Sequence, residues 1–108
     1  MDVDVVVVLV TAGSEEEAAR IGRALVEERL IACANLVGPI RSIYRWQGAV
    51  EDAREHLLVM KARRADVERI GERVTALHSY DVPEVLALPV AGGAAGYLAW
   101  LVEATARA

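Results

Sequence analysis

The stretch Val5-Val6-Val7-Val8-Leu9-Val10-Thr11 decides the fold, because its strand and the helix after it have counterparts later in the chain. The apolar run from Val3 to Thr11 is too short for a comfortable helix and lacks polar alternation, so it predicts a central strand covered on both sides. A shift of 49 residues lays this strand over Arg54 to Met60 and lays Arg20-Ile21-Gly22 over Arg69-Ile70-Gly71. The order strand, helix, strand therefore occurs twice.

A repeated strand-helix-strand unit folds as an α+β, ferredoxin-like βαββαβ sandwich, with strands in the order 4-1-3-2 and two helices on one face. Ser14 and Glu17 have capping-box spacing and predict a first helix that runs to about Arg29. Apolar residues at helical spacing predict a second helix over 65–77. Gly22 and Gly71 are expected where helix meets sheet, allowing close approach.

The middle of the chain predicts a long protruding β2–β3 hairpin. Two apolar runs, 32–37 and 40–46, form one strand kinked at Gly38-Pro39, and Gln47-Gly48 supplies the turn into the returning strand. Pro89 indicates that a strand over 84–90 lies at an edge or ends early, and a C-terminal helix over 94–106 closes the chain. A two-stranded ribbon is marginal in water, so we expect copies of the chain to pair their edge strands as a cyclic homo-oligomer.

Composition limits the possible functions. A chain of 108 residues is long enough for one domain, 1–108, and has no apolar run that reaches the length of a membrane span. The formal charge of −4 and the scattered arginines disfavour nucleic acid as a partner. The lone Cys33 and the absence of a secretory signal pattern predict a cytoplasmic location.

Five blocks of sequence occur in order across nearly the whole chain: Leu9-Val10-Thr11-Ala12, Leu30-Ile31-Ala32-Cys33-Ala34-Asn35, Ser42-Ile43-Tyr44-Arg45-Trp46-Gln47-Gly48, Leu77-His78-Ser79-Tyr80-Asp81-Val82-Pro83-Glu84 and Tyr97-Leu98-Ala99-Trp100-Leu101. Together they resemble the signature of the CutA divalent-cation tolerance family. This resemblance implies a ferredoxin-like homotrimer, similar to the PII signalling proteins, with a role in tolerance to copper and other divalent cations and no enzymatic activity.

The candidate metal ligands are His78, Glu84 and Cys33. Copper favours imidazole and thiolate, and the topology places His78 and Glu84 near one end of the sheet, close to Thr11. Cys33 lies at the opposite end, so any site that it shares with His78 must be formed between chains. There is an alternative interpretation of each residue. His78 would cap the free backbone carbonyls at the end of the second helix, and Cys33 would be a small hydrophobic core residue.

The aromatic residues of these blocks predict a cleft at the subunit interfaces that could hold a small polar ligand. Its predicted residues are Tyr44, Arg45, Trp46, Lys61, Tyr80 and Trp100. The second functional hypothesis is accordingly a PII-like regulatory module that binds a small metabolite or anion in intersubunit clefts. No nucleophile, base and orienting acid can be assembled from the sequence, so we do not expect an enzyme.

Overall fold

A computed structural model describes residues 4–107, which form a four-stranded antiparallel sheet and three α-helices. The strand order β2-β3-β1-β4 confirms the predicted ferredoxin-like arrangement, since it is 4-1-3-2 read from the other edge. None of these helices has the length and apolarity needed to cross a membrane. The elements are β1 (Val5–Ala12), α1 (Glu15–Glu27), β2 (Cys33–Trp46), β3 (Ala49–Arg63), a short 3-10 helix (Arg64–Asp66), α2 (Val67–Leu77), β4 (Leu86–Pro89) and α3 (Ala95–Ala104).

The main core fills one side of the sheet, and a smaller cluster of Val5, Ala32 and Leu101 lies on the other side, where α3 packs near the start of β1. Val6, Val8, Val10 and Ala12 of β1 are buried, and they belong to one cluster with apolar residues of α1 and α2. Of the alternate β1 residues, Val5 is buried but Val7, Leu9 and Thr11 are only partly buried, so in the single chain the prediction that both sides of β1 are covered holds only at the start of the strand. We call this second side the open face. The strand register places on it Val7, Leu9, Thr11, Val37, Leu57, Val59, Leu86 and Leu88.

Only one of the two predicted helix–sheet glycines lies at a close approach. A Cβ built on Gly22 would lie 3.1 Å from Ala34 Cβ and 3.5 Å from Leu58 Cδ2, so α1 lies directly on the sheet there. At Gly71 a Cβ would meet no other part of the described chain within 4 Å. The expectation for Gly71 is therefore wrong, because this side of α2 is turned away from the strands.

The hairpin has the predicted form. Trp46 pairs with Ala49, and the two residues between them have positive φ values of 49° and 82°, as a type I′ turn requires. The β2 register shifts between Val37 and Ile40, at the Gly38-Pro39 kink. A side chain at residue 38 would overlap the ring of His56. The arms extend the molecule to 47 Å along its longest axis and leave Ile43 and Val50 each 64% exposed.

The edge position of β4 is confirmed, although the strand is shorter than predicted. It pairs with β1 alone, from Leu86 opposite Leu9 to Pro89 opposite Val6. Pro89 has no N–H to donate and ends the strand. Glu84 and Val85 lie before the strand, so Glu84 lies in the segment that leads into it.

The two glycines generate a matched stability prediction. Gly71→Ala should raise the free energy of unfolding by about 0.5–1 kcal/mol, because alanine restricts the unfolded backbone and its methyl group meets no clash. Gly22→Ala should give no gain or a loss, because the added methyl presses on the Cβ of Ala34, which has no rotamer freedom. Chemical denaturation of both variants tests this. An equal gain from both substitutions would contradict close packing of α1 on the sheet.

Candidate functional site

A cleft of about 770 Å³ opens where the loop after α2 faces the hairpin and the end of β1. The loop, residues 78–85, runs from the end of α2 to β4. Because the cleft lies between the loop and the hairpin, its walls come from parts of the chain that are far apart in sequence. Its lining residues are Thr11, Ser42, Ile43, Tyr44, Trp46, Glu55, Ser79, Tyr80, Asp81, Val82 and Glu84.

Tyr80 and Glu55 form a hydrogen bond in the wall of the cleft. The Tyr80 hydroxyl donates to Glu55 Oε2 over 2.9 Å, and Glu55 is only 6% exposed. Burial, together with the bonded Glu55 carboxylate, raises the pKa of Tyr80 well above its usual value. Tyr80 therefore keeps its proton at neutral pH and remains a donor to Glu55.

Negative charge accumulates in this cleft. Burial, and next the charge of Glu55, raise the pKa of Glu84 above its ordinary value. Asp81 is a third acidic residue of the lining, and no Lys, Arg or His of the described chain is among the lining residues. The site consequently combines carboxylates with aromatic side chains and has no basic side chain of its own chain to neutralise them.

His78 is buried beneath the cleft, where its ring joins the loop to β1. Ring Nδ1 accepts a hydrogen bond from the Tyr80 backbone N–H over 3.0 Å, so Nε2 carries the proton and donates it to the Thr11 carbonyl over 2.7 Å. This ring does not bond helix carbonyls, so the capping interpretation is wrong for the side chain. In this conformation neither ring nitrogen offers a free lone pair to a metal ion.

Glu17 fixes the start of the same loop. Its Oε2 accepts from the Ser79 N–H over 2.7 Å, and its Oε1 accepts from the Gly13 N–H over 3.3 Å. Burial alone raises the pKa of Glu17, but the hydrogen bonds from Ser79 and Gly13 outweigh it and hold the pKa below its ordinary value. The predicted capping bond from Glu17 N to Ser14 Oγ is present at 3.1 Å. The Glu17 carboxylate therefore bonds Gly13 and the loop, in place of the reciprocal bond to the Ser14 N–H.

The predicted ligand residues divide between two places. Tyr44, Trp46 and Tyr80 line the cleft as a group, together with Glu84. Arg45 is absent from the lining, because alternate residues of a strand point to opposite sides. Arg45 therefore does not line this cleft within one chain, and its place in a cleft between copies stays a prediction.

Lys61 and Trp100 lie with Cys33 at the opposite end of the sheet. Cys33 pairs with Lys61 in the register, and its Sγ lies 3.6 Å from the Tyr97 hydroxyl, whose ring is 5.4 Å from that of Trp100. The Lys61 amino group bonds the side-chain oxygen of Asn35. Cys33 is half-buried, outside the main core.

The predicted metal ligands are therefore not brought together within one chain. Glu84 and His78 belong to the cleft region, whereas Cys33 lies near the start of β1, as the topology predicts. Across residues 4–107, no group of three or more His, Cys, Asp or Glu side chains is arranged to hold a metal ion. A complete metal site would need ligands from another copy of the chain.

Glu55 is a residue of this site that sequence reasoning missed. The polar composition of residues 51–55 predicts a solvated part of the returning strand. The register places Glu55 opposite Ile40, two residues before Leu57, which pairs with Thr11. The period of two along β3 therefore puts Glu55 on the open face next to the end of β1, a signal that was present but was outweighed by the polar composition of 51–55.

Comparisons with known proteins give a consistent result. A family model described as CutA1 divalent ion tolerance protein matches residues 6–104. The chain is 54% identical over 99 residues to the divalent-cation tolerance protein CutA of Thermus thermophilus, covering 92% of this chain and 96% of that protein. It is 44% identical over 100 residues to a chloroplastic protein CutA of Arabidopsis thaliana, of which it spans 55%.

Solved structures show the same fold. The divalent cation tolerance protein Cut A1 from Thermus thermophilus superimposes with a TM-score of 0.91 at 52% identity, covering 94% of this chain and 99% of that one. CutA1 from Oryza sativa gives a TM-score of 0.94 at 42% identity, covering 98% and 97% of the two chains.

The Glu17 contacts predict a pH-dependent loss of stability. Because folding lowers the pKa of Glu17, its contribution is complete above the unfolded-state value of about 4.3 and is lost as the pH falls through the lower folded-state pKa. Glu17→Gln should cost about 1.5–3 kcal/mol at pH 7, since the amide cannot accept two charge-assisted bonds. Denaturation of parent and variant should show this gap narrowing in acid.

The control for this comparison is Glu16→Gln, which makes the same charge change in the same helical turn at an exposed position. It should lie within about 0.5 kcal/mol of the parent. A gap for Glu17→Gln that stays constant from pH 7 into acid would contradict a role for the carboxylate charge.

Proposed function

Because this chain belongs to the CutA1 family of divalent ion tolerance proteins, we propose that it acts as a non-catalytic homotrimer that binds copper or another divalent cation. The observation that carries the metal part is family membership, together with a relative 54% identical that is named for divalent-cation tolerance. The observation that carries the assembly part is the open face. A cytoplasmic location, expected from the lone Cys33, stays a prediction.

The open face supports assembly through its apolar composition. Val37, Leu86 and Leu88 are exposed on this face, and the aromatic rings of Tyr44 and Trp46 continue it along the hairpin. The chain exposes 6798 Å², whereas a compact monomer of 11.7 kDa exposes about 5,900 Å². A single copy therefore leaves far more surface uncovered than is usual for a stable monomer.

The sheet edges support a closed ring of copies. β2 has β3 as a neighbour on one side only, and β4 has only β1, so each chain presents two unpaired edges. If the β2 edge of one copy pairs with the β4 edge of the next, a closed ring of copies leaves neither edge with unpaired backbone N–H and C=O groups. Three copies are the number that the family resemblance implies.

For the metal, we propose Glu84 as a ligand in the cleft, with further ligands supplied across a subunit boundary. Carboxylate oxygens suit a wide range of divalent ions, whereas copper prefers imidazole and thiolate. His78 has both ring nitrogens engaged, and Cys33 lies at the other end of the sheet. A copper site with these donors would therefore require contacts from a neighbouring copy.

A second candidate function is a binding module for a small ligand, as in the PII-like alternative. The observation that favours it is the cleft itself, whose volume of about 770 Å³ lies within the range of small-molecule sites and whose walls carry three aromatic rings. The anion version of this alternative requires a neighbouring copy to supply the basic side chains, since neither Arg45 nor Lys61 lines the cleft within one chain.

Metal titration tests the proposed ligand. Calorimetry with Cu²⁺ and with Mn²⁺ should show saturable binding to the parent, weakened at least fivefold in Glu84→Gln because the variant removes a negative oxygen donor. Glu68→Gln, an equal charge change at an exposed position of α2, should bind like the parent. Equal binding by all three proteins would contradict Glu84 as a ligand.

A further inference from the structure

We propose that the hairpin docks an acidic peptide segment of a partner protein on the side that faces away from the neighbouring copies. We call this the outer side, because it lies opposite the open face. The inference goes beyond metal binding and beyond the cleft, and it takes from the proposed function only the assembly of copies through the open face. The register places on the outer side Arg41, Ile43, Arg45, Val50, Asp52 and Arg54.

The hairpin concentrates positive charge on this side. Glu55 lies on the open face and successive residues of a strand point to opposite sides, so Arg54 points to the outer side. Arg41 pairs directly with Arg54 and shares its side, and Arg45 follows two periods later along β2. Among the described residues of the hairpin, the outer side therefore carries three arginines against one acid, Asp52, on a chain whose formal charge is −4.

Two of these arginines are not neutralised within the chain. Arg41 donates to the Asp52 carboxylate from Nε over 2.9 Å and from Nη2 over 2.6 Å. The guanidinium groups of Arg45 and Arg54 form no hydrogen bond or ion pair with residues 4–107. Arg41 and Arg54 also face each other across the ribbon, where like charges are destabilising. Such a local conflict is expected where a segment serves binding rather than folding.

Assembly leaves the outer side open to a partner. Copies contact one another through the open face and the two unpaired edges, so in a closed ring each open face turns inward and the outer side of each hairpin turns away from the ring. The helices of the same chain do not reach it either. β1 ends at Ala12, opposite His56, and α1 runs back from there along the body of the sheet, whereas the arginines lie farther out on the hairpin.

The layout of the outer side favours a peptide over other polyanions. Its arginines alternate with Ile43 and Val50, so the surface offers apolar contacts beside its charge, whereas a phosphate backbone is held chiefly by charge. Arg41 and Arg45 lie about 14 Å apart at ~3.4 Å per residue, a distance that a short extended segment spans. The outer sides of a ring point in different directions, so one flat membrane cannot contact all of them. A segment that combines carboxylates with apolar side chains matches this surface.

The experiment measures peptide binding to the intact assembled protein by fluorescence anisotropy in metal-free buffer. The probe is a short labelled peptide of glutamate, leucine and serine, and its control has glutamine in place of every glutamate. At low salt the glutamate peptide should bind about tenfold more tightly than the control, as expected for three exposed ion pairs, and the difference should shrink as the salt concentration rises. Light scattering on the same sample gives the mass of the assembly.

Four variants test the assignment to the outer side. Arg45→Gln and Arg54→Gln should each weaken the glutamate peptide about two- to threefold, because each removes one charge partner. Asp52→Asn removes the acid of this side and should instead tighten binding by a similar factor. Arg69→Gln, an equal charge change at an exposed position of α2, should leave the affinity unchanged. All four side chains are exposed, so the variants should fold and assemble like the parent.

Each other outcome overturns a defined part of the proposal. Equal binding of the two peptides by a protein of trimer mass would overturn this inference and leave the proposed assembly intact, whereas a mass of 11.7 kDa would overturn both. Unchanged binding by Arg45→Gln and Arg54→Gln would overturn the outer side as the site. Tighter binding of anionic lipid vesicles or of single-stranded DNA than of the glutamate peptide would overturn the peptide class.

Discussion

Burial of the second face of the sheet is the constraint on which the rest of this structure depends. The first two helices cover one side of β1 completely, whereas the other side leaves Val7 and Leu9 of β1 only partly buried and exposes Val37 of β2 and Leu86 and Leu88 of β4. Removing one methylene group from water stabilises an association by about 0.8 kcal/mol. A sheet face that exposes several apolar side chains therefore favours association strongly. The hairpin, the two unpaired edges and the exposed aromatic rings all lie where a second copy would contact them.

The shape of the cleft depends on the loop of residues 78–85, which hydrogen bonds to buried residues hold in place. His78 bonds the Thr11 carbonyl, Glu17 bonds the Ser79 N–H, and Tyr80 reaches Glu55 across the sheet. Buried hydrogen bonds of this kind hold a loop rigidly, because breaking one leaves a polar group without a partner. The buried histidine therefore serves to position Tyr80.

The fold was predictable from the sequence because each of its signals is local. The β-branched run 5–11, the Ser14 cap and the Gln47-Gly48 turn all act within a few residues of themselves, and all three are found as predicted. The repeat then fixed the strand order, since a doubled strand-helix-strand unit has few topologies. The prediction for Gly71 was wrong because the repeat gives the order of strands and helices along the chain. It does not give the side that each helix turns toward the sheet.

The site was predictable only in part, because it depends on contacts between distant residues. Tyr80 and Glu84 were found through their shared block, and Tyr44 and Trp46 through the hairpin. Glu55 was missed because nothing local distinguishes a buried glutamate from its exposed neighbours; only the register with β1 and the hydroxyl of Tyr80, 25 residues away in sequence, reveal it. The bonds that engage both ring nitrogens of His78, to Thr11 and to the Tyr80 backbone, likewise could not be read from the sequence around it.

Molecular mass in dilute buffer tests the central claim most directly, namely that copies of this chain cover the open face. Light scattering coupled to size-exclusion chromatography, with circular dichroism on the same fraction, should give a folded species of three times the 11.7 kDa chain mass. A well-folded species of 11.7 kDa would contradict the account, because the sheet would then be stable with one face exposed to water.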